Sequence, residues 1–561
     1  VLMSEQKTSQ PASAQTAQLV VQQLINTGVE FVSLAPGSRN GPISLALIEA
    51  EKQGLISIHV RIDERSAAFL ALGSAIKTGK PAAVLTTSGT AVANIFPAII
   101  EAKYAGIPFI VLTADRPAAF QGTGANQVIA QREIFGNYVS RSIEIASESL
   151  SIETASARDA IRDRINSVFT AATRNRGPVH LNIALAEPLV PSVDFVFEHK
   201  KIPQNETVIT PENISTELLS RKGLIVAGGT NVEYLNYAQE LGNALDWPVI
   251  VEPPHQCVGS GMVSNAPALL SLNAINLKPD VVLTVGRVGL SRQVNDLIKK
   301  GNLVISCAVP SIITNSAAKQ RISGLFRVPA KQSNKAWKQT WQDAGKLSHS
   351  IVQQLLKENS KVSALHVVDC LMKNLPKNSH IHLASSLAAR DFELLTSPEI
   401  DSPFSNGEVS VSMNRGVNGI DGIVSTAMGA ALSSKLPTFA MLGDIAALHD
   451  LSSFVIPTLE KKPNITFIVN DNNGGGIFNL LEQSEVEDFE RVFGTPTDVN
   501  LAEVFKSLGA EVKSISKIDD LANNLNVPNG VKVLVVKIQS RKAEAELRKA
   551  IFEEVNRSIT V

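Results

Sequence analysis

Short apolar runs of strand length alternate with helical segments through most of this 561-residue chain. Parallel strands need a crossover between them, usually a helix, so this alternation predicts α/β architecture with parallel sheets. The 44% of hydrophobic residues is enough to fill sizeable cores. We therefore expect an α/β fold in which each domain is a parallel sheet flanked by helices.

The apolar runs fall into three groups, which indicate three domains at residues 1–190, 205–345 and 355–561. A Pro-rich, weakly periodic segment at 187–211 predicts a linker after the first group. The expected strands are 31–34, 56–61, 82–86 and 109–113 in the first group, 223–227, 248–251, 281–285 and 303–306 in the second, and 380–383, 438–442, 464–469 and 531–538 in the third.

Two loops in the third group follow strand-like runs and carry oxygen ligands. One contains Gly443 and Asp444, and the other contains Asn472 and Gly474. Carboxylate, amide and backbone carbonyl oxygens suit Mg²⁺, which keeps part of its coordination for water and phosphate. Asp444, Asn472 and the Gly474 carbonyl are the expected ligands, with Asp471 as an alternative to Asn472. The pattern predicts a cation that anchors a diphosphate, and thiamine diphosphate is one of few organic cofactors held in this way.

An acidic residue in the first group is a candidate for work on such a cofactor. Glu64 lies between the expected strand 56–61 and a helix at 66–77. A carboxylate hydrogen-bonded to N1′ of the aminopyrimidine favours the imino form that removes the proton from C2. Asp63 and Glu64 are also residues that favour a helix N-terminus. The residues alone leave both interpretations open.

A set of motifs spread in order over the first and third groups resembles one family, the menaquinone-pathway 2-succinyl-5-enolpyruvyl-6-hydroxy-3-cyclohexene-1-carboxylate synthases. The resemblance is much weaker across the second group. The motifs that carry it lie at residues 35–39, 63–65, 87–94, 113–117, 124–127, 414–416, 419–422 and 472–478.

The resemblance implies a thiamine-diphosphate-dependent transferase that also requires Mg²⁺ or Mn²⁺. It implies the thiamine-diphosphate-binding fold, in which domain 1–190 binds the pyrimidine, domain 205–345 is Rossmann-like and domain 355–561 binds the diphosphate. It implies decarboxylation of 2-oxoglutarate and addition of the remaining four-carbon carbanion to isochorismate. It also implies that Glu64 is the N1′ partner and that Ile420 is the bulky residue beneath the thiazolium. The other implied cofactor contacts are Gly443, Asp444, Asn472, Gly474, Ile477 and Phe478, and three of these, Asp444, Asn472 and Gly474, match the metal ligands.

The two implied substrates are dianions, and guanidinium groups pair with carboxylates in bidentate geometry without losing their charge. Ser386 and Arg390 lie four residues apart on an expected helix, so we expect them to share a face. The family pattern also has a Lys–Arg pair in the second group, of which this chain matches only Arg292. The implied substrate contacts are Ser38, Arg39, Arg116, Gln127, Arg292, Ser386, Arg390, Arg415 and Leu481.

The resemblance further implies a homo-oligomer, with a homodimer as the active unit and a tetramer as the usual state. Two other classes stay open on the sequence. A related thiamine enzyme, such as an acetolactate synthase or a 2-oxo acid decarboxylase, would share the cofactor residues. A non-catalytic nucleotide-binding protein on a Rossmann-like scaffold is the other alternative, and the presence of Glu64, Asp444 and Asn472 together disfavours it.

Charge and cysteine content favour a protein of the reducing cytoplasm that acts on small molecules. The formal net charge of −1 gives no reason to expect nucleic acid or an acidic membrane surface as a partner. The three cysteines, Cys257, Cys307 and Cys370, are expected to be free buried thiols. The polar segment 1–16 has no apolar signal core, and no run is long enough to span a membrane.

Overall fold

The structure, a computed structural model, describes residues 10–150, 155–191, 194–198, 212–229, 232–256, 258, 261–271, 277–307, 317–322, 324–330 and 334–560. Its contacts divide the chain into two compact units. The first unit comprises residues 1–207, 424–433 and 455–462, and the second comprises 208–423, 434–454 and 463–561. The described residues nevertheless form three large parallel sheets, and the predicted α/β class is confirmed. The three domain boundaries remain a prediction.

The first unit contains a six-stranded parallel sheet in the order β2-β1-β3-β4-β6-β5. Its central strands are buried on both faces, which is why they read as continuous apolar runs. The strands are β1 (Phe31–Leu34), β2 (Ser57–Val60), β3 (Ala82–Thr86), β4 (Phe109–Asp115), β5 (Ser142–Ala146) and β6 (Pro178–Ala184).

Helices cover this sheet, and their ends follow simple backbone rules. Gly28, Gly79 and Gly106 end three of them in the left-handed conformation that suits glycine. The helices are α1 (Ala12–Thr27), α2 (Gly41–Lys52), α3 (Glu64–Thr78), α4 (Thr90–Asn94), α5 (Phe96–Ala105) and α6 (Ala155–Arg174).

Two glycines allow a very close helix crossing in the first unit. Helix α14 (Ile423–Ser433) contributes residues 424–433 to this unit, where it packs against α3. A Cβ atom at Gly73 would lie 2.0 Å from the Thr426 carbonyl oxygen, and one at Gly429 would lie 1.9 Å from the Leu70 carbonyl oxygen. Since no real Cβ atom tolerates such distances, each helix presents bare backbone to the other.

The second unit contains the other two large sheets, both parallel. One has the order β12-β11-β10-β8-β9 and the other has the order β15-β14-β16-β17-β19-β18, and a short pair joins β13 to β7. The strands are β7 (Glu212–Asn213), β8 (Gly223–Gly228), β9 (Val249–Val251), β10 (Val281–Gly286), β11 (Leu303–Cys307), β12 (Gln320–Ile322), β13 (Phe326–Arg327), β14 (Ser379–Leu383), β15 (Val409–Met413), β16 (Thr438–Gly443), β17 (Ile465–Asp471), β18 (Glu511–Ile515) and β19 (Val531–Lys537).

Helices of the second unit surround these two sheets and join them. Asn265 bridges them, because its backbone N–H donates to the Thr396 carbonyl and its side chain donates to the Leu394 carbonyl. The helices are α7 (Thr216–Leu219), α8 (Val232–Leu245), α9 (Ala266–Leu270), α10 (Arg292–Lys300), α11 (Lys335–Glu358), α12 (Ala364–Asn374), α13 (Leu387–Leu395), α15 (Asp444–His449), α16 (Leu501–Ser507), α17 (Ile518–Ala522) and α18 (Arg541–Thr560).

Each of the twelve expected strands matches an observed strand to within a few residues. The described strands that the sequence analysis missed include β5, β6, β15 and β18. Parts of the expected linker at 187–211, and Cys257, lie outside the described residues. Cys307 and Cys370 are free and buried, as expected, and burial raises the pKa of the Cys370 thiol to about 11. Among the described helices, none combines the length and apolarity that a membrane crossing requires.

Buried histidines make the stability of the fold sensitive to acid. His180 and His382 are fully buried, and burial lowers the pKa of each from 6.5 to about 3. In the unfolded chain these two imidazoles therefore take up protons near pH 6.5, whereas in the folded chain they stay neutral at that pH. Each residue contributes stability that is complete above pH 6.5 and is lost as the pH falls below it.

We expect each of these histidines to cost about 2 kcal/mol of stability between pH 7 and pH 5. Urea denaturation at both pH values measures the loss, and His382→Gln should reduce it by that amount. His449 is exposed, so His449→Gln is the control and should leave the loss unchanged. An undiminished loss in His382→Gln would contradict the assignment.

Candidate active site

The two predicted metal loops lie at the same edge of one sheet. Strands β16 and β17 are neighbouring and parallel, and Gly443 is in register with Asn470. The carboxyl ends of both strands therefore meet, which brings the loop of Asp444 beside the loop of Asn472. A crevice at the carboxyl ends of parallel strands is where open α/β sheets bind ligands.

A hydrogen bond from the Gly474 N–H to the Asp444 carboxyl group joins the two loops. The distance from Gly474 N to Asp444 Oδ2 is 2.8 Å, and Oδ1 accepts a second bond of 2.8 Å from the Ile445 N–H. Burial raises the pKa of the Asp444 carboxyl group, and the nearby charge of Asp471 raises it further. A bound cation would favour the ionised form that burial disfavours.

Asn472 has the free oxygen that a metal ligand needs. Its Oδ1 atom is buried and has no hydrogen-bond partner among the described residues. Asp471, the alternative ligand, already accepts a hydrogen bond from the Asn473 N–H and forms an ion pair of 3.2 Å with Lys537. The orphaned amide oxygen beside a buried carboxylate fits a hard divalent cation, and it favours Asn472 over Asp471.

The glycines of this loop pack closely against their own chain. Gly474 has a φ of +139°, and a Cβ atom there would lie 2.2 Å from the Gly494 carbonyl oxygen. Arg541 lies on the same side, with its guanidinium carbon 3.1 Å from that Cβ position, and it forms an ion pair with Glu490. Arg541 was not predicted from the sequence, and it supports the loop of Gly474 through these contacts.

Glu64 is the first residue of α3, and its neighbour carries out the capping. Asp63 is the N-cap, and its Oδ1 atom accepts hydrogen bonds from the N–H groups of Arg65 (2.9 Å) and Ser66 (3.4 Å). Glu64 is half-buried, and its carboxyl group forms no hydrogen bond or ion pair with a described residue. The helix start therefore does not use the Glu64 carboxyl group, which leaves it free for a ligand.

The predicted substrate contacts of the first unit cluster at the carboxyl ends of β1, β3 and β4. Burial and the charge of Arg116 both lower the pKa of Arg39, so the two guanidinium groups are close. Arg116 also donates a hydrogen bond of 3.2 Å to Ser88. Gln127 packs its backbone against Gly89, and both Gln127 and Ser38 are exposed.

A cleft in the second unit gathers most of its predicted substrate contacts. It has a volume of about 1260 Å³, and its lining includes Arg292, Arg390, Ile477 and Leu481. Arg292 is exposed at the start of α10, while Arg390 is half-buried on α13. The lining also contains acidic residues, so the part around Arg292 and Arg390 is the part of the cleft that suits an anionic organic ligand.

Ser386 differs from its prediction. It is the residue before α13 rather than a member of the helix, and its φ of +74° is uncommon for a residue with a side chain. The Arg390 guanidinium donates a hydrogen bond of 2.8 Å to the Ser386 carbonyl oxygen. The two residues are therefore adjacent, but through a backbone contact and not through a shared helical face.

Arg415 is buried and already paired. Only 2% of its side chain is exposed, and its Nη2 atom lies 2.8 Å from the Glu252 carboxylate. Glu252 was not predicted from the sequence, because a single acidic residue after a strand of the weakly matching second group carries no motif. The apolar cofactor contacts differ in exposure: Ile420 is 39% exposed, whereas Phe478 is half-buried and packs against Phe493.

Two family models match the chain. Residues 14–134 match "Thiamine pyrophosphate enzyme, N-terminal TPP binding domain", and residues 412–536 match "Thiamine pyrophosphate enzyme, C-terminal TPP binding domain". The first range contains Glu64 and the second contains Asp444 and Asn472. The chain therefore carries both thiamine pyrophosphate-binding domains.

Curated relatives match along almost the whole chain, and three of them are named 2-succinyl-5-enolpyruvyl-6-hydroxy-3-cyclohexene-1-carboxylate synthase. The protein of Saccharopolyspora erythraea is 36% identical over 96% of this chain and 97% of its own. That of Mycobacteroides abscessus is 35% identical over 96% and 99%, and that of Thermobifida fusca is 34% identical over 97% and 99%. The chain therefore belongs to the 2-succinyl-5-enolpyruvyl-6-hydroxy-3-cyclohexene-1-carboxylate synthase family of thiamine pyrophosphate enzymes.

Proposed function

We propose that the protein decarboxylates 2-oxoglutarate and adds the remaining four-carbon unit to isochorismate, as a step of menaquinone biosynthesis. The observation that carries this proposal is the near-complete coverage of relatives that bear the name of the product. The reaction needs thiamine diphosphate and a divalent cation, Mg²⁺ or Mn²⁺.

Asp444, Asn472 and the Gly474 carbonyl would hold the cation and, through it, the diphosphate. Bound thiamine diphosphate supplies a carbon nucleophile that attacks a 2-oxo acid and stabilises the electron pair left when CO₂ departs. The free Asn472 oxygen and the buried Asp444 carboxyl group support this assignment. Gly443 ends β16 just before Asp444 and leaves open space beside it.

Glu64 would hydrogen-bond to the pyrimidine nitrogen of the cofactor and stabilise its protonated form. The capping by Asp63 supports this role, because it leaves the Glu64 carboxyl group without another task. Ile420 would support the ring system from below. Ile477, Phe478 and Leu481 would form an apolar wall that keeps water from the reacting carbon.

The arginines would neutralise the carboxylates of the two substrates. Arg39 and Arg116 form one cationic cluster with Ser38 and Gln127 close by. The other cluster combines Arg292, Ser386, Arg390 and Arg415 in the second unit. Four carboxylates on two substrates require several cations that stay charged, and arginine meets that requirement.

The active unit would be a homodimer in which Glu64 of one subunit serves the cofactor held by Asp444 of the other. A tetramer of two such dimers, located in the cytoplasm, completes the proposal. Cross-complementation tests the shared site: mixing inactive Glu64→Gln and Asp444→Asn chains should restore part of the activity. No recovery in verified mixed dimers would contradict a site built from two subunits.

A direct assay tests the reaction itself. Purified protein with thiamine diphosphate and Mg²⁺ should release CO₂ from 2-oxoglutarate in the presence of isochorismate and form the expected product. Pyruvate, a monoanion, should be a poor donor because it lacks the second carboxylate that an arginine would pair with. Equal use of pyruvate would instead assign the chain to another thiamine enzyme reaction.

Arg390→Ala should weaken substrate use far more than cofactor binding. Removing one partner of a buried charge pair costs about 2–5 kcal/mol, so we expect KM for 2-oxoglutarate to rise by about 30-fold or more. The affinity for thiamine diphosphate, measured by fluorescence titration, should stay nearly unchanged. Lys549→Ala is the control, because Lys549 lines the same cleft but is exposed. The reverse pattern would refute the role of Arg390.

A further inference from the structure

Two buried carboxyl groups lie beside the cations of the second unit, and the proposed reaction does not use them. Glu252 follows β9 and is completely buried, while Glu393 lies on α13 and is 1% exposed. Glu393 also lines the cleft that contains Arg292 and Arg390. Two carboxyl groups of this kind in one dry cluster require an explanation, since burying a single unpaired charge is already costly.

Glu252 has every partner that an ionised carboxylate needs. Arg415 donates a hydrogen bond of 2.8 Å to it. The Gly289 N–H lies 2.9 Å from both of its carboxyl oxygens, and the Leu290 N–H lies 3.0 Å from one of them. Three donors, one of them the positively charged Arg415 guanidinium, therefore satisfy the Glu252 carboxyl group.

Glu393 lacks the guanidinium and backbone N–H donors that Glu252 has. Neither of its carboxyl oxygens has a partner in good hydrogen-bonding geometry among the described residues, and the Ser291 hydroxyl is the side-chain donor close enough to act on it. Burial raises its pKa well above the usual range, and the negative charge of Glu252 raises it further, while the nearby Ser291 hydroxyl, Arg415 and Arg390 act in the opposite direction. When two carboxyl groups share one site, the one with fewer and weaker donors takes the proton more readily.

The other charged groups around this cluster do not reverse that result. Asp391, also on α13, forms an ion pair of 2.6 Å with Arg548 of α18, and its pKa is raised to about 6, mainly by burial. His255 is neutral above acidic pH, because burial lowers its pKa to about 4. Arg390 and Arg415 therefore face two carboxyl groups, Glu252, which accepts three hydrogen bonds, and Glu393, whose pKa is raised by burial.

The summed charge of four groups, Arg390, Arg415, Glu252 and Glu393, then depends on whether Glu393 is protonated. With Glu393 neutral, two guanidinium groups and one carboxylate leave a net charge of one positive unit. With Glu393 ionised, the net charge is zero. Arg390 and Glu393 lie three residues apart on α13, so they share a face of the helix.

We propose that Glu393 is a proton-holding residue that tunes the cleft for one substrate carboxylate. In this arrangement a substrate carboxylate binds at Arg390 only when Glu393 is protonated. If Glu393 is ionised in the free protein, it must therefore take up one proton when the substrate binds. Glu252 acts as the positioning residue, since it fixes Arg415 and the Gly289–Leu290 segment that leads into α10. The inference rests on the proposed role of Arg390 in substrate binding.

The direction of the pH effect follows from this linkage. At pH values below the pKa that Glu393 has in the ligand-free protein, the affinity for a dicarboxylate is constant. Above that titration, the protein must first take up a proton, so affinity falls by about tenfold for each pH unit. A dicarboxylate without a keto group, glutarate, measures this effect without turnover, and its own carboxyl groups are fully ionised above pH 6.5.

Calorimetric titration of glutarate into the holoenzyme between pH 6.5 and pH 9.5 tests the proposal. Repeating each titration in buffers of different ionisation enthalpy counts the protons taken up. We expect uptake to approach one proton per site as the pH rises, with the corresponding loss of affinity. Glu393→Gln mimics the neutral acid and should abolish both the uptake and the pH dependence of affinity.

Glu546→Gln is the matched control. Glu546 lines the same cleft but is exposed, so this variant should keep the proton uptake of the unmodified protein. Glutarate binding without proton uptake overturns the inference, and so does equal uptake in Glu393→Gln. If glutarate fails to bind at any pH, the inference also fails. The proposed function is judged separately, by the release of CO₂ from 2-oxoglutarate with isochorismate.

Discussion

Glu64→Gln should lower the rate of CO₂ release from 2-oxoglutarate by about 10²–10⁴-fold, the usual loss when a general acid–base group is removed. A glutamine amide cannot stabilise a protonated pyrimidine nitrogen as a carboxylate does. The fold should persist, because the Glu64 side chain forms no hydrogen bond or ion pair with a described residue. Single-turnover CO₂ release and the melting temperature measure the two effects.

The neighbouring residue supplies a control with the opposite expected behaviour. Asp63 caps α3, so Asp63→Ala should cost about 0.5–2 kcal/mol of stability. Its turnover per folded molecule should stay close to that of the unmodified protein. Normal turnover in Glu64→Gln would refute the assigned role. Unfolding of that variant would show that the Glu64 carboxyl group is structural.

Asp444→Asn should abolish cofactor binding by removing the carboxylate that anchors the cation. Changing a residue that only hydrogen-bonds to a metal ligand typically lowers metal affinity by about 10–100-fold. The loss of a direct ligand such as Asp444 should therefore lower it by more than that. In the unmodified protein, thiamine diphosphate and Mg²⁺ together should raise the melting temperature by mass action. The variant should show no such rise.

The same substitution should leave the cofactor-free protein at least as stable as before. Burial raises the pKa of Asp444, which means that its ionised form is unfavourable when no cation is present. Asp471→Asn is the control, since Asp471 contributes only a loop hydrogen bond and an ion pair with Lys537. If Asp471→Asn rather than Asp444→Asn lost the cofactor-induced rise, the metal ligands would have to be reassigned.

The sequence was sufficient for the α/β class because buried parallel strands are continuous apolar runs. Strands such as β16 and β17 were found in this way, and their ends located Asp444 and Asn472. β15 and β18 were missed, since each contains polar and exposed residues. Their strand character comes from pairing with β14 and β19, and not from a local pattern.

Contacts between distant residues account for what the sequence could not predict in the site. Asp471 and Asn472 are both plausible ligands by spacing, and they are separated only by contacts: Asp471 is bonded to Asn473 and Lys537, whereas the Asn472 oxygen has no partner among the described residues. Helix α18 is rich in charged residues that would ordinarily face solvent, yet Arg548 is 4% exposed and Glu544 is 2% exposed. Arg548 pairs with both Glu544 and Asp391, and no periodicity shows where an inward-facing ion pair will form.

The crossing of α3 and α14 limits how the site can be redesigned. At Gly73 and Gly429 the peptide groups of one helix touch those of the other, and no side chain there can shrink to make room. Any redesign that repositions Glu64 to accept a cofactor with a larger ring must therefore move α3 and α14 together. A transplant of the Glu64 helix into a new scaffold would need its glycine-bearing companion as well.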